Sequence, residues 1–175
     1  MSFPLRSRQP ASIEQAQSPV ALRVFDDEGL AVRSAARLLV TASVTAEVQA
    51  FARRIHAAGI RAGFPFLETP ARELPTGHRM LRKTCADRLD DAAGGTLLIT
   101  DVEEMPAPVQ KVLVALLTEL ELARAPSAAV RLISGTTVSL LDRIAAGTFA
   151  ARLFYQLNII HLMVGGALQE STSSE

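Results

Sequence analysis

The sequence is poor in the residues that would announce a chemistry at once. It has one cysteine, one tyrosine and no tryptophan, and aromatics make up 5% of its 175 residues. A single cysteine, Cys85, excludes an intramolecular disulfide and a cysteine metal cluster. It reads as a small, half-buried apolar group rather than a reactive thiol. No apolar run is long enough to span a bilayer. The start, Met1-Ser2-Phe3-Pro4-Leu5-Arg6, lacks the apolar core of a signal peptide. A soluble, cytoplasmic protein without a membrane partner is therefore expected. There is also no surplus of charge, since 18 Lys and Arg balance 18 Asp and Glu. A basic footprint for nucleic acid is missing, and no direct DNA binding is expected. Arginine heavily outnumbers lysine, which leaves room for a local patch with bidentate partners.

What is present is aliphatic. Hydrophobic residues reach 49%, enough for one domain whose core is Leu, Val, Ile and Ala. The central stretch is Gly94-Gly95-Thr96-Leu97-Leu98-Ile99-Thr100-Asp101-Val102-Glu103-Glu104-Met105-Pro106. Two glycines, a short apolar run, abrupt acids and a proline read as a buried parallel strand ending at a polar edge before a helix. Ligands of doubly wound sheets bind at that edge, so Asp101, Glu103 and Glu104 stand where chemistry would be.

The rest falls into alternation around it. Residues 1–20 hold Ser, Gln and three prolines and read as a flexible leader, 21–163 as the folded domain, and 164–175 as a disordered tail. Strands are expected at 38–41, 64–67, 96–100, 130–134 and 158–162. Helices are expected at 30–37, 45–58, 76–89, 108–122, 138–146 and 149–157. Val48, Phe51, Ala52 and Ile55 share one helical face, and Gly59 is placed to end that helix. Met80, Leu81 and Cys85 mark the apolar side of the next helix. Val109, Val112, Leu113, Leu116, Leu117 and Leu120 stripe the one after it. Short apolar strands alternating with helices predict a parallel sheet covered on both faces.

The order of landmarks adds a resemblance. Thr41 to His56, Pro65-Phe66, Leu74-Pro75, Gly94 to Pro106, Arg131-Leu132-Ile133 and Phe149 to Asn158 resemble the AAA+ domain of sigma-54-dependent transcription activators. That family carries T-G-E-S-G-T-G-K-E-x-x-A-R-x-I-H, P-F, G-G-T-L-F-L-D-E-I-x-E-L-P, R-x-I-A-A-T-N and F-R-x-D-L-Y-Y-R-L-N. The match spans about residues 37–162. It implies an α/β three-layer sandwich: a mostly parallel, five-stranded P-loop NTPase-like sheet flanked by helices, here without the helical lid.

The departures from the family carry the functional expectation. A phosphate loop needs glycines so that its amides converge, and a lysine to reach the terminal phosphates. Ala42, Thr45 and Glu47 stand at its glycine positions and Val48 at its lysine. Thr100 takes the place of the magnesium-holding Asp, and Asp101 that of the water-activating Glu. Thr137 replaces the polar sensor Asn. Ala150 and Gln156 replace the two arginines that reach across a subunit interface. The loop that touches the sigma factor is missing, because residues 81–93 connect directly. The expected protein is a non-catalytic interaction module in transcription regulation, with no cofactor, no metal and no stable hexamer. Its expected partner is an intact AAA+ activator or another transcription component. Leu153, Phe154 and Tyr155 are kept beside the lost arginines; Leu153 and Tyr155 are expected in the core.

Other readings stay open at this stage. A weak nucleotide-binding switch or residual ATPase would need only part of the lost machinery. Asp101 could be the phosphoacceptor of a receiver-like domain with Phe25-Asp26-Asp27-Glu28 as its acidic pair, although the spacing is too long and no lysine follows Ile133. Asp101, Glu103 and Glu104 could hold a metal, although such acids more often cap a helix. His56 is expected to pack or cap, and His78 and His161 form no constellation.

Overall fold

The computed structural model describes residues 28–123 and 130–165. The expected leader, residues 21–27, the 123–127 loop after Ala123 and the tail from residue 166 lie outside the described residues. Five strands form one sheet: β1 (Leu38–Ala42), β2 (Phe66–Pro70), β3 (Thr96–Thr100), β4 (Arg131–Thr136) and β5 (Ile160–Val164). Their spatial order is β2-β3-β4-β1-β5, and every pairing is parallel. The helices are α1 (residues 28–33), α2 (Thr45–Ala58), α3 (His78–Asp91), α4 (Ala107–Ala123), α5 (Leu140–Ala145) and α6 (Ala151–Leu157). β5 takes in Val164, the first residue of the expected tail.

Period-two alternation divides each inner strand between two cores. Leu38, Val40, Leu98 and Ile133 pack with Val48, Phe51, Ala52 and Ile55 of α2 and Ala31 of α1. Leu39, Leu97, Ile99 and Leu132 pack with Leu81, Val109, Leu113, Leu117 and Leu153 on the opposite face. All five residues of β3 are buried, as a central parallel strand demands. A receiver-type doubly wound sheet runs 2-1-3-4-5. Here β1 lies between β4 and β5, so the receiver reading is set aside.

The paired glycines before β3 have a steric cause. Gly94 adopts φ +74, and a Cβ on Gly95 would stand 1.9 Å from the Pro65 carbonyl oxygen. That oxygen accepts the Thr96 N–H at 2.9 Å, so β2 and β3 meet too closely for a side chain. The strand expected at 64–67 begins at Phe66, and Phe64 is exposed. Two expected stripes are narrower than their periodicity. Met80 is 60% and Leu120 48% exposed, because no described element covers those flanks of α3 and α4. The helix bounds at 45–58 and the strand bounds at 96–100 agree with the sequence reading.

Candidate functional site

The carboxyl ends of β1, β3 and β4 meet at one edge. β1 and β4 are neighbours, with Thr41 opposite Thr136. The chain leaves β1 for α2 on one face and leaves β4 for α5 on the other. That divergence is a topological switch point, where doubly wound sheets bind ligands.

The connection from β1 to α2 is the first feature of this edge. Only Ser43 and Val44 separate the strand from the helix, since α2 already begins at Thr45. Thr45 and Glu47 are therefore in the first helical turn rather than in a loop. Val44 caps it in extended geometry, φ −142 and ψ 150, and its side chain makes no cap hydrogen bond. Instead the Ser43 N–H donates to Glu47 Oε2 at 3.2 Å. The helix thus receives a carboxylate of its own at its positive end. Glu47 also lies close to the end of β5, since a Cβ on Gly165 would stand 2.7 Å from its Oε2.

Val48, expected from the sequence at the lysine position of the family motif, is 1% exposed. It points into the sheet rather than toward the edge. A Cβ on Gly135 of β4 would meet Val48 Cγ1 at 2.2 Å, so the isopropyl group sits directly over that glycine.

Asp101 follows β3 in the left-handed region, φ 54 and ψ 44. Asp tolerates this conformation better than most residues. Its carboxylate is enclosed by neighbours. Thr45 donates its hydroxyl to Oδ1 at 2.6 Å and Thr100 donates to Oδ2 at 2.9 Å. The Arg72 guanidinium lies 3.8 Å from Oδ2. Thr100 is 1% exposed, and its hydroxyl is fully engaged with Asp101. Glu103 takes the N–H of Thr137 at 2.9 Å and its hydroxyl at 2.8 Å through Oε1, while Oε2 is buried without a partner. Glu104 is exposed. Among the described residues no group of three or more His, Cys, Asp or Glu is arranged to hold a metal ion. The three acids of the central motif do not converge.

Ala150 and Gln156, expected to replace two interface arginines, are also tied inward. Ala150 precedes α6 and donates its N–H to Gln110 Oε1 at 2.7 Å. Gln156 donates to Thr118 Oγ1 at 2.9 Å, so its side chain lies on α4. Leu153 is fully buried and Phe154 is 6% exposed, but Tyr155 is 69% exposed. The expectation that Tyr155 belongs to the core is corrected: on α6 it falls on the side away from both the sheet and α4. Ile159, just beyond α6, is 56% exposed.

Two arrangements were not visible in the sequence. Gln110 is 2% exposed within the apolar stripe of α4. Its amide N–H groups donate to Met105 O at 2.8 Å and Thr148 O at 3.0 Å, clipping the strand-end turn to the start of α6. A polar residue on a stripe was the available signal. The Thr41 hydroxyl and His161 Nε2 lie 2.9 Å apart, so His161 does have a partner across β1 and β5. His56 lies 3.0 Å from Thr96 Oγ1 through Nδ1, with its ring 5.2 Å from that of Phe66. Burial pushes the His56 imidazole below its usual pKa, the Phe64 backbone pulls it back up, and the Arg131 charge adds to the lowering. Its role is the packing one expected.

Comparison with known proteins agrees with this architecture. The family model for the sigma-54 interaction domain matches residues 82–163. The regulatory protein AtoC of Escherichia coli K12 is 29% identical over 84% of this chain and 36% of its own length. The transcriptional regulatory protein GlrR of the same strain is 32% identical over 89% of this chain and 39% of its own. The chain thus spans well under half the length of these relatives. The crystal structure of NtrX from Brucella abortus in complex with ATP superposes with a TM-score of 0.66 at 28% identity, over 91% of this chain and 39% of that one. The P-loop NTPase domain of the sigma-54 transport activator from E. coli superposes at 0.59 and 18% identity, over 81% of this chain and 99% of that one, a likeness of fold alone.

Proposed function

This chain belongs to the sigma-54 interaction domain family of transcription activators, and we propose that it is a non-hydrolysing member that acts through protein contacts. The observation that carries the reading is the hydrogen bond between Thr45 and Asp101 at 2.6 Å. It ties the would-be phosphate loop to the would-be catalytic strand, so that the two segments satisfy each other.

The surrounding groups support the same reading, since they fit a magnesium–nucleotide complex poorly. Converging loop amides are the source of phosphate affinity, and two connecting residues supply too few. The Ser43 amide already donates to the Glu47 carboxylate, which repels phosphate. Val48 offers no charge and is packed away. Asp101 has both oxygens engaged. Ala150 and Gln156 carry no guanidinium to stabilise transferring charge on a neighbouring subunit.

A weak nucleotide switch would need a pocket at this edge. A cleft of about 890 Å³ lies beside the β1–α2 connection, lined by Ser43, Thr137, Asp142, His161 and Met163 among others. Among the described residues its lining contains no lysine or arginine and does contain Asp142, so it is ill suited to a polyphosphate.

Under this proposal the working surface is the exposed Tyr155 and Ile159 beside Arg152, and the partner is an intact AAA+ activator or another transcription component. A seam without finger arginines lacks its charge-assisted bonds, each worth roughly 1.5–3 kcal/mol. No stable hexamer of this chain alone follows. Phosphate release with ATP and magnesium is expected to equal the buffer blank, and calorimetry at millimolar ATP to show no binding tighter than millimolar. Turnover that disappears in Asp101→Ala would overturn the proposal. Light scattering at micromolar chain should show no hexamer. A pull-down from native cytoplasm should enrich an activator or transcription component, and Tyr155→Ser with Arg152→Glu should abolish that enrichment. Capture that is indifferent to both changes would refute the surface.

A further inference from the structure

A second cleft lies between α3 and α4, on the face of the sheet opposite α2. Its volume is about 720 Å³, within the roughly 300–1,000 Å³ of small-molecule sites. Its walls are aliphatic: Leu74, Leu89, Ile99, Leu113, Leu116 and Leu132. Neither Thr45, Asp101 nor Thr137 reaches it.

Three features make it more than an apolar groove. Thr69 of β2, opposite Ile99 of β3, contributes to the lining and is 3% exposed, yet its hydroxyl has no hydrogen-bond partner among the described residues. Buried hydroxyls are almost always satisfied, and an unpaired one is destabilising. β2 alternates so that Glu68 meets Gln49 and Arg53 of α2, which directs Thr69 to the α3–α4 side and into this cleft. Next, Cys85 of α3 is a half-buried part of the wall. Its burial raises the thiol pKa, so at neutral pH the wall there is uncharged. Lastly, the charges at the mouth are largely matched. Arg37 pairs with Glu121 and Arg82 with Glu119, and Arg88 and Asp90 bring one charge of each sign.

We propose that this cleft binds a small uncharged amphipathic molecule, with an aliphatic or aromatic body between α3 and α4 and a carbonyl or similar acceptor on the Thr69 hydroxyl. An apolar lining with one aimed polar group is the usual construction of such sites. The matched charges at the mouth favour a neutral ligand over an anion. The site is independent of the nucleotide edge, so the proposal stands whether or not ATP is hydrolysed.

Nile red, a neutral apolar dye with a carbonyl, is the probe, used on the full chain. Saturable one-to-one binding with a blue-shifted, enhanced emission is expected. Thr69→Val keeps the shape and removes the donor. It should weaken Nile red about fivefold, the loss of one ordinary hydrogen bond, while the melting temperature stays level or rises. Ala86→Phe, at the exposed rim, should abolish binding with the circular dichroism unchanged. Saturating Nile red should slow the alkylation of Cys85 by N-ethylmaleimide severalfold. Absence of saturable binding, equal affinity in Ala86→Phe, or unprotected Cys85 would each overturn the site. An unchanged affinity in Thr69→Val would overturn the role of the hydroxyl.

Discussion

Restoring the family lysine should damage this protein rather than revive it. Val48 is 1% exposed and packed over Gly135 at the centre of the sheet, so Val48→Lys places an ammonium group in an aliphatic core. A lysine held neutral there at pH 7 loses the interval between pH 7 and its ordinary pKa near 10.4, at about 1.36 kcal/mol per unit, or about 4.6 kcal/mol. The stem can snorkel toward the first turn of α2, which lowers the expectation to about 3–4 kcal/mol. For a chain of this size that is a fall in melting temperature of roughly 10 °C. The pH dependence separates charge burial from mere misfit. The unfolded lysine binds its proton more tightly than the folded one, so stability rises with pH. By the same arithmetic, about 1.9 kcal/mol of the charge cost is left at pH 9. Val48→Ala serves as the uncharged control, with a constant loss of about 2 kcal/mol at both pH values. Urea denaturation followed by circular dichroism measures all of this. A Val48→Lys protein as stable as the parent at pH 7, with newly acquired ATP affinity, would show that position 48 faces a phosphate site and refute the reasoning.

Gly135→Ala should cost about 1–3 kcal/mol by overpacking against Val48, and Val48→Ala in the same chain should return part of it, a coupling readable in a double-mutant cycle. Gln110→Ala strands Met105 O, Thr148 O and the Ala150 N–H, for an expected loss of about 3 kcal/mol of unfolding free energy in urea denaturation; a loss under about 1 kcal/mol would mean that the clip is dispensable. The lowered pKa of His56 predicts stability that is fully present above about pH 6.5 and declines as pH falls from there toward its folded pKa. His56→Gln should flatten that part of the profile, and an unaltered slope would assign it to other groups.

Interpreted together, these perturbations treat one edge of the sheet as core. Three hydrogen bonds gather at this edge: Thr45 to Asp101, Thr100 to Asp101, and Thr137 to Glu103. Each bond is local in space and satisfies a group that would be expensive to bury alone. The edge is crossed by hydrogen bonds within the chain, which is the physical basis for proposing a role at the exposed Tyr155 surface instead.

The sequence by itself determined the elements. Short apolar runs between glycines and acids placed β3, and the three-and-four spacing of Val48, Phe51, Ala52 and Ile55 placed α2, because periodicity records which side of an element is buried. It also marked the positions where glycine, lysine and arginine are absent from the expected motif. Periodicity does not record what lies opposite a face. Met80, Leu120 and Tyr155 continue apolar patterns, yet they are exposed because only the packing of α3, α4 and α6 sets where coverage stops. Nor does it record partners far apart in the chain. Thr45 and Asp101 are 56 residues apart, and their bond exists because parallel pairing brings the ends of β1 and β3 to the same edge. The tertiary structure alone decided that Asp101 is enclosed, that Val48 rests on Gly135, and that Thr69 is left with an unpaired hydroxyl. Those are consequences of sheet order and register, which no local pattern encodes.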